Sequence, residues 1–310
     1  MQTKNVDGLA TILLLMLCLV WALQQVLVKA VADDMAPVMQ LAIRSAISGA
    51  LIALLLASKG KPLFTADTWK PGLLAGFLFA LEFYFIAEGL RFTTASHMVV
   101  FLYTTPIFVA LFMSWAVPNE RLTRRQWSGV LLAFVGLMVA FLYGDDTAAN
   151  APNIFLGDVL GILAALSWAL TTVVIRLTKL SQAPSQQILF YQVLVGFVLL
   201  TALTFIGGQT EYQLTIPLLL NIAFQSIVVG LISFITWIWL LRRYVASQLS
   251  VFTFLTPVLG VLLGAWLLQE PLEQSFMFGA LMVITGMLLV HSEGLMNSWR
   301  KRKQGTEMVK

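Results

Sequence analysis

The sequence predicts an all-α membrane protein: ten transmembrane helices in two inverted five-helix repeats, with both termini cytoplasmic. Three observations predict it, namely an apolar composition, ten apolar runs of membrane-crossing length, and a motif present once in each half. Of 310 residues, 59% are hydrophobic and 11% charged, against roughly 25% charged in soluble domains. The runs approach the roughly 20 helical residues that a bilayer core of about 30 Å demands, and in hydrocarbon a helix satisfies its own backbone.

The first five runs cover residues 9–31, 36–57, 72–90, 95–117 and 126–143. After a polar stretch come 157–178, 185–206, 217–241, 246–268 and 276–291. The domain reading is a first repeat over 9–143, a linker over 144–156, a second repeat over 157–291 and a basic cytoplasmic tail over 292–310. The first run, with Lys4 before it and the triplet Ala30, Val31, Ala32 at its end, also has the outline of a signal peptide. The repeat argues for retaining it. Trp21-Ala22-Leu23-Gln24-Gln25-Val26 recurs as Trp168-Ala169-Leu170-Thr171-Thr172-Val173, and Lys29 matches Arg176.

The fourth and ninth runs carry the plainest repeat. The segment from Ala95-Ser96 to Thr105-Pro106 aligns without a gap with that from Ala246-Ser247 to Thr256-Pro257. Downstream, Glu120 matches Glu270, Leu122 matches Leu272, Gly129 matches Gly279 and Gly136 matches Gly286. An odd number of helices per copy makes the second copy enter from the opposite face, which is inverted topology. Basic residues mark the cytoplasmic loops. One set holds Lys4, Lys59, Lys61, Lys70, Arg121, Arg124, Arg125, Lys179, Arg242, Arg243 and the Arg300–Lys303 cluster. The other holds Asp33, Asp34, Asp145, Asp146, Glu211, Glu270 and Glu273, with Arg91 as its one basic residue.

Several function classes lack support. A single cysteine, Cys18, forms no disulfide framework or multi-cysteine metal site. The net charge of +4 matches the tail cluster, so nucleic acid is not an expected partner. With two histidines, His97 and His291, and neither a His-Glu-x-x-His nor a Gly-x-Ser-x-Gly motif, no catalytic residue or metal ligand is expected. No Walker-type loop is present, so direct ATP drive is not expected, and no cofactor is.

The paired Ala-Ser to Thr-Pro segments, each followed by Glu and two spaced glycines, resemble the drug/metabolite transporter superfamily, specifically ten-helix exporters with two EamA domains. The resemblance spans nearly the whole chain. It implies a carrier in the cytoplasmic (inner) membrane, often exporting amino acids or other metabolites through a cavity between the halves, without fixing one solute.

Intramembrane polar residues are the candidate site, because charge in a bilayer faces a cavity or a partner. Arg44 and Glu82 have nearly matching depths on consecutive antiparallel helices. They read either as a structural ion pair or as groups for a solute carboxylate and an amine or proton. Trp21 and Trp168 sit near the midplane, where packing and stacking on an aromatic or cationic solute are both open. Gln24, Gln25, Thr171 and Thr172 supply matched uncharged hydrogen bonds or join helices, and Tyr103 completes the candidate binding set. Pro106 and Pro257 are symmetric kinks, read as packing or as hinges lining the cavity. Lys29 and Arg176 are expected to snorkel, Glu88, Arg91 and His97 to form a solvated cluster, and the four repeat glycines to be close-packing sites.

The function expected is secondary transport by alternating access. It exports a small polar metabolite such as an amino acid; the alternatives are a drug or organic-cation efflux carrier, then a channel or intramembrane enzyme. The cavity should come from the first four helices of each half, with the fifth and tenth peripheral. The partners are a small-molecule solute and the lipid bilayer; proton coupling, and monomer against homodimer, stay open.

Overall fold

The computed structural model describes residues 4–143, 151–268 and 274–307. The expectations on Asp145, Asp146, Glu270, Leu272 and Glu273 lie outside them, as do the side chains of Lys29 and the Arg300–Lys303 cluster. Ten helical spans of membrane-crossing length occur among the described residues. They are α1 (Gly8–Ala30), α2 (Pro37–Ser58), α3 (Trp69–Gly89), α4 (Ala95–Leu102 and Thr105–Ala116) and α5 (Arg124–Leu142). The second five are α6 (Ile154–Leu177), α7 (Ser185–Ile206), α8 (Ile216–Arg243), α9 (Ala246–Phe252 and Leu255–Leu268) and α10 (Gln274–Glu307). This is a multi-pass membrane protein.

Polar caps set where several helices begin. The Asp7 carboxylate accepts the Ala10 amide at 3.0 Å at the head of α1, and Thr94, Thr123, Asn153 and Thr215 do the same for α4, α5, α6 and α8. Each takes up an amide that has no partner inside its own helix. The backbone of α10 runs past the apolar span as helix to Glu307, where a separate tail is expected from the sequence; its Leu, Met, Lys, Arg and Gln residues favour helix.

The two proline-bearing helices both break just before the proline, one residue apart in the repeat alignment. Pro106 lacks an N–H and its ring clashes with the carbonyl four residues back, which is that of Leu102, the last residue of the first α4 segment. The Thr105 hydroxyl donates to this freed carbonyl at 2.7 Å, and Thr104 donates to Phe101 O at 2.6 Å. In α9 the break falls at Thr253 and Phe254, and the Thr253 hydroxyl donates to Ser250 O at 2.6 Å.

Helix α8 carries a π-helical stretch, Gln225–Ser233, which shifts the register of its second half and directs Ser233, Phe234 and Trp237 inward. Ser48 of α2 donates to Ser226 O in this stretch at 2.9 Å. Helices α5 and α10 pack on each other through the repeat glycines. A Cβ on Gly129 would lie 2.6 Å from Gly286 O, and one on Gly136 2.7 Å from Gly279 O. These glycines are in close backbone contact, crosswise between the repeats, as an antiparallel pair requires.

Candidate solute-binding cavity

A cavity of about 130 Å³ lies between the halves. Helix α1 supplies Trp21, Gln24 and Gln25; α3 supplies Phe79, Glu82, Phe83 and Ile86; α4 supplies Leu102 and Tyr103. The second half contributes Trp168, Thr171, Thr172 and Ile175 from α6, Gln192 from α7, and Phe234, Trp237, Ile238 and Leu241 from α8. Helices α5 and α10 contribute no lining residue among those described, and neither do α2 and α9.

Eight of the sequence-chosen binding residues therefore share one wall: Trp21, Gln24, Gln25, Glu82, Tyr103, Trp168, Thr171 and Thr172. The rings meet edge to face. Trp21 and Trp168 centroids are 6.4 Å apart at 79°, Trp21 and Trp237 5.4 Å at 71°, and Tyr103 and Trp168 6.1 Å at 76°. Trp21 is fixed by its indole N–H, which donates to Ser233 Oγ at 3.0 Å, and Ser233 donates onward to Val229 O at 2.7 Å. Thr171 and Thr172 donate to Ser167 O and Trp168 O of their own helix at 2.9 and 3.3 Å. Their hydroxyl oxygens keep acceptor capacity.

Arg44 is placed differently from the expectation. It is 1% exposed and is not part of the cavity wall. Its guanidinium carbon lies 4.9 Å from the Phe83 ring centre and 5.5 Å from that of Phe234, so two wall rings stand against it. Arg44 and Glu82 make no direct ion pair among the described residues; those are Lys4–Asp7, Glu88–Arg91, His97–Asp158 and Arg176–Glu120. Their charges still interact through space. Both Nη atoms of Arg44 are buried without a hydrogen-bond partner among the described residues.

Other expectations change with the structure. Pro106 and Pro257 are buried but do not line the cavity; the α4 break reaches it through Leu102 and Tyr103. Arg176 does not snorkel. It donates to buried Glu120, with side chains 9% and 0% exposed, and to Leu241 O at 3.0 Å. The second Glu120 oxygen accepts the Ala246 amide at 3.1 Å. An acid in the turn after α4 and a helix terminus together make that site favourable for the cation. Glu88 and Arg91 pair in solvent, whereas His97 turns away to Asp158, 3.1 Å from either oxygen. Asp158, on the first turns of α6, was not singled out from sequence.

Phe79, Phe83, Gln192, Phe234 and Trp237 were also missed. A signal existed for some: the offset that pairs Ala95 with Ala246, carried back along the chain, pairs Phe83 with Phe234 and Ile86 with Trp237. All four line the cavity.

The model of the EamA-like transporter family matches residues 8–142 and 155–292. The chain belongs to this family. Among its relatives, the uncharacterized transporter YvbV of Bacillus subtilis is 26% identical over 284 residues, covering 91% of each chain. The probable amino-acid metabolite efflux pump of Escherichia coli is 23% identical over 301 residues, covering 94% of this chain and 96% of that one. Its Salmonella typhimurium counterpart in name is 24% identical over 289 residues, covering 89% and 93%. A solved crystal structure superposes with a TM-score of 0.76 at 20% identity, over 92% of this chain and 98% of the other, which establishes the shared fold. The EamA family and these relatives are transporters rather than enzymes.

Proposed function

We propose that this EamA-family transporter is a secondary exporter of a small amine-bearing metabolite such as an amino acid, working in the cytoplasmic membrane by alternating access. One observation carries the reading: Glu82 faces a cavity between the two repeats, and no protein hydrogen bond to it is found among the described residues. A carboxylate in a membrane interior is costly unless a partner meets it, and a solute ammonium or a proton is such a partner. Exchange between the two at one carboxylate would couple export to a proton gradient. The relatives named as amino-acid metabolite efflux pumps support the solute class. The odd helix count per repeat supports inverted topology, so that exchanging the conformations of the halves swaps the open face.

The test is reconstitution into liposomes with labelled amino acids and organic cations, with and without a pH gradient. Amine-bearing solutes should move, faster against an opposing proton gradient, and Glu82→Gln should lower the flux at least about tenfold. No movement of any solute under any condition sinks the carrier reading. Conductance far above carrier turnover would replace it with a channel.

A further inference from the structure

Resting on that reading, we propose that the site recognises an aromatic ammonium and does not read a carboxylate. Its ligands are then aromatic amines and carboxyl-blocked aromatic amino acids as much as amino acids themselves. The argument begins with what the wall contains. Among the described residues Glu82 is its one formal charge, and no Arg, Lys or His lines it. Around it are Trp21, Trp168, Trp237, Tyr103, Phe79 and Phe83. Neighbouring rings stand at 71–79° to one another, so ring faces are presented in more than one direction. Ring faces are negative and attract cations, most strongly where water is excluded, and flat apolar solutes bury well against them.

A carboxylate fares worse in the same space. Like charges repel strongly at low dielectric, and Glu82 supplies one negative charge whenever it is ionised to hold the ammonium. The group suited to offset a second is Arg44, with a planar donor fork that fits carboxylates. It is not available. Phe83 and Phe234, both wall residues, cover the guanidinium at 4.9 and 5.5 Å, and Arg44 itself is 1% exposed. From behind the rings it offsets the buried charge of Glu82 without touching the solute, which makes it a positioning residue. Gln24, Gln25 and Gln192 remain for neutral hydrogen bonds, weaker than charge-assisted ones.

The experiment compares ligands on the full-length protein in lipid nanodiscs, so it does not depend on any variant folding. Equilibrium dialysis would measure tryptophan, tryptamine, tryptophan methyl ester and indole-3-propionate. Tryptamine and the ester are expected to bind at least as tightly as tryptophan, and the propionate at least about tenfold more weakly. Phe83→Ala supplies a second arm: with the cover over Arg44 thinned, indole-3-propionate should gain affinity relative to tryptamine. Tenfold tighter binding of tryptophan than of tryptamine would overturn the proposal and show a carboxylate reader, leaving the carrier reading intact. So would equal binding by all four. Absence of binding by any of them would also overturn it, while liposome flux of other amine-bearing solutes would still decide the carrier reading.

Discussion

Trp21 shows how one side chain links the two halves. Its ring lines the cavity from α1 while its indole N–H is held by Ser233 of α8. Trp21→Phe should cost about 1 kcal/mol and Ser233→Ala somewhat more, since it also removes the bond to Val229 O. The double variant should cost little more than Ser233→Ala alone, because the two changes remove the same Trp21–Ser233 bond. Thermal unfolding in detergent would check it; additive losses would mean that the bond contributes nothing. Near the amino terminus, burial pushes Asp7 up, but hydrogen bonds from Lys4, the Ala10 amide and Tyr244 outweigh it and hold the carboxyl below its ordinary 3.8. The hydrogen bond to Asp7, then that to Tyr244, raises Lys4 above 10.5. A depressed acid stabilises above its unfolded value and is lost as pH falls through the folded one; a raised base stabilises below its unfolded value and is lost as pH rises. The strap of Lys4 and Asp7 on Tyr244 should therefore hold between about pH 4 and pH 10. Faster amide exchange at Ala10 at pH 3 than at pH 7, beyond the intrinsic pH effect, would show it. At this scale the sequence was legible where residues repeat. Trp21 and Trp168, or Gln24–Gln25 and Thr171–Thr172, announce a shared wall by recurring at matched depth. Arg44 was misread because depth alone carries no information about which neighbouring ring a guanidinium faces. Arg176 was misread because its partner Glu120 lies in a short 3₁₀ turn, Pro118–Glu120, remote in sequence.

At the scale of elements, the α5–α10 contact is the firmest case of sequence dictating packing. Glycines seven residues apart stay near one face of a helix, and here both faces meet so closely that an added Cβ would strike a carbonyl. Gly136→Val should overpack this interface and cost roughly 1–3 kcal/mol or separate the helices. Because neither helix lines the cavity among the described residues, whatever protein folds should keep its solute affinity. Size-exclusion yield and dialysis would be read together, and normal yield with lost binding would contradict the assignment of α5 and α10 to scaffold. The breaks in α4 and α9 were legible from Pro106 and Pro257, and in α4 the Thr105 hydroxyl takes up the freed Leu102 carbonyl. The π-helical stretch of α8 was not legible. Its residues, Gln225–Ser233, carry no pattern that separates a π turn from an α turn, and the stretch packs closely on α2, where a Cβ on Gly230 would collide with Ser48 Oγ.

For the whole molecule, the proposed alternating access would need each end of the cavity to close in turn, and hydrogen bonds tie one end across. Ile175 and Leu241 belong to the wall. The next residue, Arg176, reaches Leu241 O and Glu120, and Glu120 holds the Ala246 amide, so α6, the turn after α4, and the α8–α9 turn are tied at one point. The amino-terminal strap adds a second tie, with Lys4 N donating to Arg243 O and Val245 N to Lys4 O, both at 3.1 Å. Opening this face must break the buried pair. Removing one partner would leave the other charge buried and uncompensated, at a cost of about 3–5 kcal/mol. Arg176→Gln with Glu120→Gln removes both charges and keeps amides able to reach Leu241 O and Ala246 N. The double variant should therefore fold better than either single one, yet populate the state open at the α8–α9 turn more often, because a neutral contact separates at lower cost. A Thr172→Cys probe in a Cys18→Ser background reports this directly. An impermeant maleimide added on that face should label it several-fold faster in the double variant, and solute should slow the labelling. Unchanged labelling from that face, in folded protein, would mean that the pair braces the scaffold and plays no part in opening it.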